Sequence, residues 1–375
     1  MSTRWTCPNI LSTRYGCPYK AKKEPPPKTF KRLYFNKMQN TNHFTENTTK
    51  LNMWTPKCTL PPKQGLRNIY EHCTLAQLSP EWMAASESCT VTASKAAVLL
   101  HCHPYLTLTN YTLLKVLQKP LPSPSAYAKT MFLDPGINNE ARIKRIVPAV
   151  ILAYCCYGKL EEQTEDEFTC PSVVLQETGL FICDENYDYK NIKVGASPDG
   201  LLVNKETNEI ISVVEIKTPR TLYRGIQKMI ALMKADPKDD AEAELSFKMQ
   251  SEIIPMYQYI QVQLQMYACK VDTCVYVCSP MDTPDIIHLL RIKKCPGTIS
   301  YIMHCISDWA ASLYTFDTAA LQSKSIKRRE QEIKRLYYTK EDIKNDALRA
   351  SQFSSITYVG NIDICVSTLD LKLRT

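Results

Sequence analysis

Residues 195–219, GASPDGLLVNKETNEIISVVEIKTP, read as two β-strands joined by a polar turn. The apolar segments 201–203 and 210–217 flank NKETNE, which has the length of a hairpin connection, so the two strands are expected to pair antiparallel. Pro198 and Gly200 bracket Asp199 in a tight turn that presents its carboxylate at the start of the first strand. Glu215 and Lys217 are two residues apart on the second strand and therefore project to the same face.

The predicted hairpin brings Asp199, Glu215 and Lys217 to one edge of a sheet. Two carboxylates suit a hard cation such as Mg²⁺, and an amine beside them can orient or deprotonate a water molecule. This set therefore predicts hydrolysis of a phosphodiester bond. The alternative is a surface salt bridge on an amphipathic strand, which does not explain why a polar pair interrupts the apolar run ISVVEIK.

The acidic-x-Lys triplet is uninformative without its context. The chain repeats it outside strand-like runs, at Asp188, Asp236, Glu332, Asp342 and Asp370. Only Glu215 combines the triplet with an apolar run and with a proline-bracketed Asp one hairpin upstream. The context therefore selects this copy.

The surrounding pattern, from about residue 75, is that of a mixed α/β domain. Helices are expected over 94–100, 111–118 and 256–269, with a further helix capped by Asn138 or Asn139. Further strands are expected over 271–278 and 286–292, and a helical, charged tail over 311–375. The catalytic domain is then assigned to 67–310.

The net charge of +8 is an N-terminal property of the 375-residue chain. Residues 1–80 carry 13 Lys and Arg against 3 Asp and Glu, together with 9 of the 23 prolines. Residues 1–66 are therefore predicted to form a flexible, basic arm. Such an arm suits a polyanion, because Lys and Arg neutralise phosphates and interleaved aromatic residues stack on bases; a solvated tail is the equal alternative.

The composition also bounds the compartment. The longest apolar stretch, residues 146–157, is too short to cross a bilayer, and no apolar segment near the N-terminus resembles a signal peptide. We expect a soluble, intracellular protein without a membrane partner, whose 16 cysteines are mostly reduced. Cys274 and Cys278 are expected in the core, with an iron–sulfur cluster that includes Cys269 as the alternative.

The string GASPDGLL…VVEIKTP resembles the core of the PD-(D/E)xK nucleases, in the lambda-exonuclease or YqaJ viral-recombinase branch, to which viral alkaline nucleases are related. SPEW at 79–82 with VTAS at 91–94, Asn139-Glu140 at a helix start and YIQVQ at 259–263 resemble further motifs of that branch. The resemblance covers residues 78–292 and implies a restriction-endonuclease-like α/β fold with a central mixed sheet flanked by helices.

The resemblance also implies roles for residues. The implied catalytic residues are Asp199, Glu215, Lys217 and Gln261. The implied metal ligands are Glu140, Asp199, Glu215 and the Ile216 carbonyl, although Glu140 taken alone is equally a dipole partner of its own helix. The implied substrate contacts are Trp82 and Ser94, and Arg142 and Arg220 are nearby candidates for holding a phosphate. Ser86 stands where the branch usually has a phosphate-gripping Arg, so strict dependence on a 5′ end is in doubt.

The activity implied is a Mg²⁺-dependent exodeoxyribonuclease, with Mn²⁺ able to substitute, that resects double-stranded DNA 5′-to-3′. The 3′ single strand would pass to an annealing protein in recombination or viral genome processing, and a homotrimer and residence in the host nucleus would fit. A basic run at 324–335 is consistent with nuclear import. Alternatives are a catalytically silent DNA-binding or annealing module, and an endonuclease that acts on DNA or RNA.

Overall fold

The computed structural model describes residues 72–119, 125–147, 152, 173–187, 190–234, 252–317 and, with gaps, parts of 321–374. The predicted basic arm, 1–66, lies outside the described residues, as does part of the basic run at 324–335. No helix in the described part of the chain is long and apolar enough to cross a membrane.

The main helices lie between residues 80 and 146 and between residues 224 and 313. Their bounds are α1 Pro80–Glu87, α2 Ala93–Leu99, α3 Leu108–Val116, α4 Ala126–Ala128, α5 Asp134–Ile146, α6 Arg224–Lys234, α7 Met256–Ala268 and α8 Pro296–Leu313. A short π-helical segment, Lys129–Leu133, joins α4 to α5. The helices predicted over 94–100, 111–118 and 256–269 are confirmed within a few residues.

The strands form a seven-stranded and a three-stranded sheet. Their bounds are β1 Val91–Thr92, β2 Val173–Gln176, β3 Phe181–Tyr187, β4 Lys190–Ala196, β5 Gly200–Asn204, β6 Ile210–Lys217, β7 Thr273–Cys278, β8 Ile286–Lys293, β9 Ile356–Ile364 and β10 Leu371–Arg374. The large sheet has the order β10-β9-β8-β7-β6-β5-β2, and the small sheet has the order β1-β4-β3. Within the large sheet β6 and β7 run parallel and the other neighbours antiparallel, so the sheet is mixed.

The predicted hairpin is β5–β6, and its turn explains why it forms. The side chain of Asn204 accepts hydrogen bonds from the main-chain N–H groups of Glu206 and Thr207 at 2.8 and 3.2 Å. Asn208 then takes a left-handed conformation with φ of 55°. Asn tolerates both the local side-chain bond and the positive φ, so the polar segment closes the antiparallel pair.

Helices cover both faces of the large sheet. On one face Val213, Cys274 and Tyr276 pack in a core that includes residues of α2, α7 and α8. On the other face Val214 and Val275 pack with residues of α5. Alternation along β6 therefore places Glu215 and Lys217 on the α7 side. This mixed α/β architecture confirms the predicted fold class and is consistent with a restriction-endonuclease-like core.

The C-terminal region matches the helical tail expected over 311–375 only in part, because residues 327–329, 351–352 and 354–355 are helical but strands follow them. Helix α8 continues to Leu313, and the chain returns to the sheet as β9 and β10. Strand β9 pairs antiparallel with β8, with Ile287 opposite Ile362. The sheet therefore includes residues beyond 310, because a strand at this edge depends on a partner distant in sequence that a local pattern does not reveal.

Candidate active site

The β5–β6 hairpin places Asp199 beside the main chain of Ile216. Gly200 lies opposite Val214 in the ladder, so Asp199 is at the end where β6 approaches Ile216 and Lys217. The Ile216 N–H donates a hydrogen bond to Asp199 Oδ2 at 2.6 Å. This contact aims one carboxylate oxygen at the strand and confirms the predicted convergence of the hairpin.

Glu215 is buried, with 0% of its surface exposed. Gln261 Nε2 donates to Glu215 Oε1 at 2.7 Å, and Gln265 Nε2 donates to Glu215 Oε2 at 2.7 Å. Lys217 Nζ forms an ion pair with Oε1. A buried carboxylate is costly unless charge and hydrogen bonds compensate it, and all three donors come from α7 and β6. The alternative of a surface salt bridge is therefore wrong for this pair.

Lys217 connects the buried carboxylate to solvent. Its side chain is 25% exposed, against 1% for that of Glu215. Burial alone lowers the pKa of Lys217, but the charges of Glu215 and Asp199 outweigh burial and raise it. Lys217 is thus an ammonium at neutral pH that can orient a water molecule or a phosphate oxygen at the mouth of the site.

Asp199 stands in an unfavourable electrostatic environment. Burial and the charge of Glu215 raise its pKa well above the ordinary value, and Glu140 adds to this effect. The Lys217 ammonium and the Ile216 N–H oppose the shift without cancelling it. Acidic groups are therefore crowded at this point, and a bound cation would relieve their repulsion.

Glu140 comes from the opposite face of the sheet, and its place in α5 differs from the prediction. Helix α5 begins at Asp134, with Pro135 in its first turn, so Glu140 is in the middle of the helix and not at its start. The expected cap at Asn138 or Asn139 is wrong for the same reason, because α4 and the π-helical segment run directly into α5. Glu140 Oε1 lies 2.8 Å from Lys144 Nζ, one turn later.

Lys144 was absent from the predicted site, yet it faces the acidic groups. Burial lowers its pKa, but the hydrogen bond to Glu140 and the charges of Glu140, Asp199 and Glu177 raise it overall. Glu177 lies 3.8 Å from the ammonium. The i, i+4 spacing of Glu140 and Lys144 is the sequence signal that could have identified the pair.

The donor set fits one magnesium ion better than two. Mg²⁺ commonly takes one or two carboxylates and keeps water or substrate oxygens at its other positions. Asp199, Glu215 and the adjacent Ile216 carbonyl supply such oxygens. In the described part of the chain no group of three or more His, Cys, Asp and Glu side chains is placed to hold a metal. Glu140 would have to exchange Lys144 for a cation to complete a second position.

The predicted substrate contacts do not bond to this cluster. Among the described residues, Trp82, Ser94, Arg142 and Arg220 make no hydrogen bond or ion pair to Asp199, Glu215 or Lys217. Arg142 is held by Asp285 at 3.0 Å and by the Pro284 carbonyl at 2.9 Å. Ser94 and Arg220 are exposed and could meet a ligand without rearrangement.

Trp82 has a different environment from those three residues. It packs against a small cluster of Cys89, Leu180 and Ile182. Its indole N–H is buried and has no hydrogen-bond acceptor among the residues that the structure describes. The Trp82 ring therefore contributes to packing between α1 and the small sheet.

Helix α7 carries a second polar network beside the first. Tyr276 donates to Gln258 Oε1 at 2.6 Å, and Gln258 Nε2 donates to the hydroxyls of Tyr223 and Tyr257 at 2.9 and 3.1 Å. Gln258, Gln261 and Gln265 are thus bonded within the protein, so this row of amides on α7 is not a solvated face. The three tyrosines were missing from the predicted site.

The cysteines lie where core residues are expected. Cys269, Cys274 and Cys278 are buried in the α7-side core, as are many apolar residues of β7 and β8. Burial raises the pKa of the Cys278 thiol to about 12. Cys278 is therefore a neutral, inert core residue, as predicted.

Comparisons with known proteins identify distant likenesses. No protein-family model and no curated protein matches the chain. Among solved structures, the alkaline exonuclease LHK-Exo from Laribacter hongkongensis is 19% identical, with a TM-score of 0.38, over 68% of this chain and 100% of that chain. The LHK-Exo complex with dAMP is 19% identical, with a TM-score of 0.37, over 69% and 97%. SSO0001 is 15% identical, with a TM-score of 0.21, over 62% and 97%. At these values the likenesses do not assign a function to this chain.

Proposed function

We propose that the chain is a metal-dependent nuclease that hydrolyses phosphodiester bonds of double-stranded DNA. The observation that carries the proposal is the buried Glu215 carboxylate, held by Lys217, Gln261 and Gln265, with Asp199 on the neighbouring strand. A protein gains little stability from burying a carboxylate in this way, so the arrangement is better explained by chemistry at the site.

The proposed division of labour follows from the contacts. Asp199, Glu215 and the Ile216 carbonyl would hold Mg²⁺, or Mn²⁺ in its place, and Glu140 would contribute to a second ion. A bound ion would neutralise charge on the scissile phosphate and lower the pKa of a bound water molecule. Lys217, with its ammonium at the mouth of the site, orients the attacking water, and Gln261 keeps Glu215 in position.

The finer expectations belong to the same proposal. The protein would act as an exonuclease from a 5′ end, leave a 3′ strand for an annealing protein and assemble as a homotrimer, in an intracellular compartment such as the host nucleus. Ser86 replaces the Arg that usually holds a 5′-phosphate in the resembling branch. Arg142 and Arg220, together with Ser94, are the proposed substitutes, so dependence on a 5′-phosphate should be weak.

The test is cleavage of end-labelled duplex DNA with Mg²⁺, with Mn²⁺ and with EDTA. We expect products with either metal and none with EDTA. Asp199→Asn and Lys217→Ala should each lower the rate on the order of a hundredfold, because positioned electrostatics are commonly the largest catalytic contribution. Lys193→Ala is the matched control, since Lys193 also pairs with a carboxylate, Asp184 at 3.6 Å, outside the site.

A second candidate function has its own support in the charge of residues 1–80, which favours polyanion binding without catalysis. A DNA-binding or annealing module predicts intact DNA under all three conditions and binding that weakens when residues 1–66 are removed. An endonuclease that acts on DNA or RNA predicts cleavage of circular DNA or of a parallel RNA substrate. Duplex DNA that stays uncut with Mg²⁺, with Mn²⁺ and with EDTA would contradict the nuclease proposal.

A further inference from the structure

Three neighbouring aromatic rings include one on the helix that carries Gln261. The Tyr257 and His103 ring centroids are 6.1 Å apart, and those of His103 and Tyr105 are 6.2 Å apart in an edge-to-face arrangement. We call these three residues the aromatic strip. Tyr105 is 89% exposed, whereas Tyr257 is half-buried, so the strip runs from the protein interior to solvent.

The inner end of the strip adjoins the catalytic residues. Tyr257 precedes Gln261 by four residues on α7, and residues with that spacing are neighbours on a helix surface. Gln261 in turn donates to Glu215. Burial raises the pKa of Tyr257 and Tyr105 adds to this effect, while the charge of Lys217 lowers it.

The loop that carries the outer rings is held in place. His103 Nδ1 accepts hydrogen bonds from the main-chain N–H groups of Tyr105 and Leu106, at 3.2 and 3.0 Å. These bonds fix the His103 ring and the backbone on which Tyr105 stands. Because Nδ1 is the acceptor, a neutral ring carries its proton on Nε2. The exposed Tyr105 face is therefore presented by an ordered segment.

A cation accompanies the strip. Lys95 lies on α2, which packs against α7 and ends four residues before His103. Burial lowers the pKa of His103, and the charge of Lys95 lowers it further. In the described residues Lys95 makes no ion pair with a carboxylate, and its partial burial lowers its own pKa. A half-buried ammonium without an acidic partner favours an anionic ligand. The combination of exposed rings and an uncompensated cation is the chemistry that binds a strand of nucleic acid.

We propose that the aromatic strip stacks an unpaired nucleobase of the substrate strand, while Lys95 contacts the neighbouring phosphate. This inference rests on the proposed function, since it takes the substrate to be a polynucleotide. Bases in an intact duplex already stack on one another, so only an unpaired or frayed nucleotide offers its face. The strip would therefore favour duplex ends with unpaired nucleotides.

The test is equilibrium binding, by fluorescence anisotropy in EDTA, of two duplexes that differ in one feature. One has an overhang of three thymidines, and the other has an overhang of the same length without bases. We expect the wild-type protein to bind the thymidine overhang roughly tenfold more tightly, the scale of one stacked base. Tyr105→Ala should abolish this preference, and Tyr105→Phe, which keeps the ring, should retain it.

The matched control is Tyr314→Ala, because Tyr314 is 91% exposed but lies outside the strip. It should retain the full preference. Equal binding of both duplexes by the wild-type protein, or an undiminished preference in Tyr105→Ala, would overturn the inference. Since no turnover is needed, a base preference without any cleavage would count against the nuclease proposal alone, and cleavage without a base preference would count against the strip alone.

Discussion

Glu215 and Glu140 are two carboxylates of one proposed site, and the protein treats them differently. Glu215 lies on a central strand, is buried, and accepts from three donors on two elements. Glu140 lies on the surface of α5, has a side chain 30% exposed, and pairs with Lys144 of its own helix. Glu215 is fixed by contacts from two elements, whereas Glu140 can exchange its partner at little cost.

The largest effect on stability should come from removing the Glu215 carboxylate. Glu215→Ala leaves the buried Gln265 amide, the half-buried Gln261 amide and the Lys217 ammonium without their acceptor. Removing one partner of a buried pair costs roughly 3–5 kcal/mol, and the lower figure applies here because Lys217 reaches solvent. We expect unfolding free energy to fall by about 3 kcal/mol in denaturant titrations. Glu215→Gln, which keeps the shape, should lose less stability.

That pair of variants also separates structure from chemistry. Both should lose nuclease activity, because both remove the charge that would hold a cation. An unfolding free energy unchanged in Glu215→Ala would contradict the assignment of the three donors.

An intermediate effect on stability should come from the ionisation of Asp199. The pKa of Asp199 is raised above its ordinary value of 3.8 by burial and by Glu215. The folded state therefore holds this proton more tightly than the unfolded state, so stability is full below that ordinary value and falls as pH rises through the raised pKa. Thermal unfolding in EDTA should show this loss.

Added Mg²⁺ should reverse that loss, because it binds the ionised form. A concentration one hundred times the dissociation constant stabilises a protein by about 2.7 kcal/mol. Asp199→Asn should remove both the pH dependence and the magnesium effect. A wild-type unfolding temperature indifferent to Mg²⁺ above pH 7 would mean that the carboxylates do not form a cation site.

The smallest effect on stability should come from changing Glu140. Glu140→Gln removes a partly exposed ion pair, which contributes about 0.5 kcal/mol or less to stability. Its activity should nevertheless fall by about tenfold if Glu140 supports the second cation position. Glu177→Gln is the matched control, since Glu177 also faces Lys144, at 3.8 Å. Equal losses of activity in both variants would mean that Glu140 serves only as a counter-charge for Lys144.

The comparison also explains which parts of the site were predictable. Asp199, Glu215 and Lys217 lie within one hairpin, so strand alternation and turn chemistry were sufficient to bring them together. Gln261 followed from the family resemblance, but Gln265 required knowledge of how α7 lies across β6. The position of Glu140 was missed because the helix was expected to start at Asn138 or Asn139, whereas the chain is already helical from Ala126 onward.

Several elements depended on partners far along the chain. Strands β3 and β4 form a separate sheet with β1, and β9 closes on β8 after an interval of more than 60 residues. The aromatic strip is similar, since His103 and Tyr257 come from segments 150 residues apart and meet through packing of α2 against α7. No local pattern contains such contacts.

The amino-acid sequence alone determined the hairpin, its polar turn and the face on which Glu215 and Lys217 project, because these depend on alternation and turn propensity over 25 residues. The tertiary structure alone decided that Glu215 is buried and accepts from three donors, and that Glu140 pairs with Lys144. It also decided that the exposed Tyr105 lies against His103. Burial and charge compensation arise between elements, and their free energies depend on distances that only the packed fold sets.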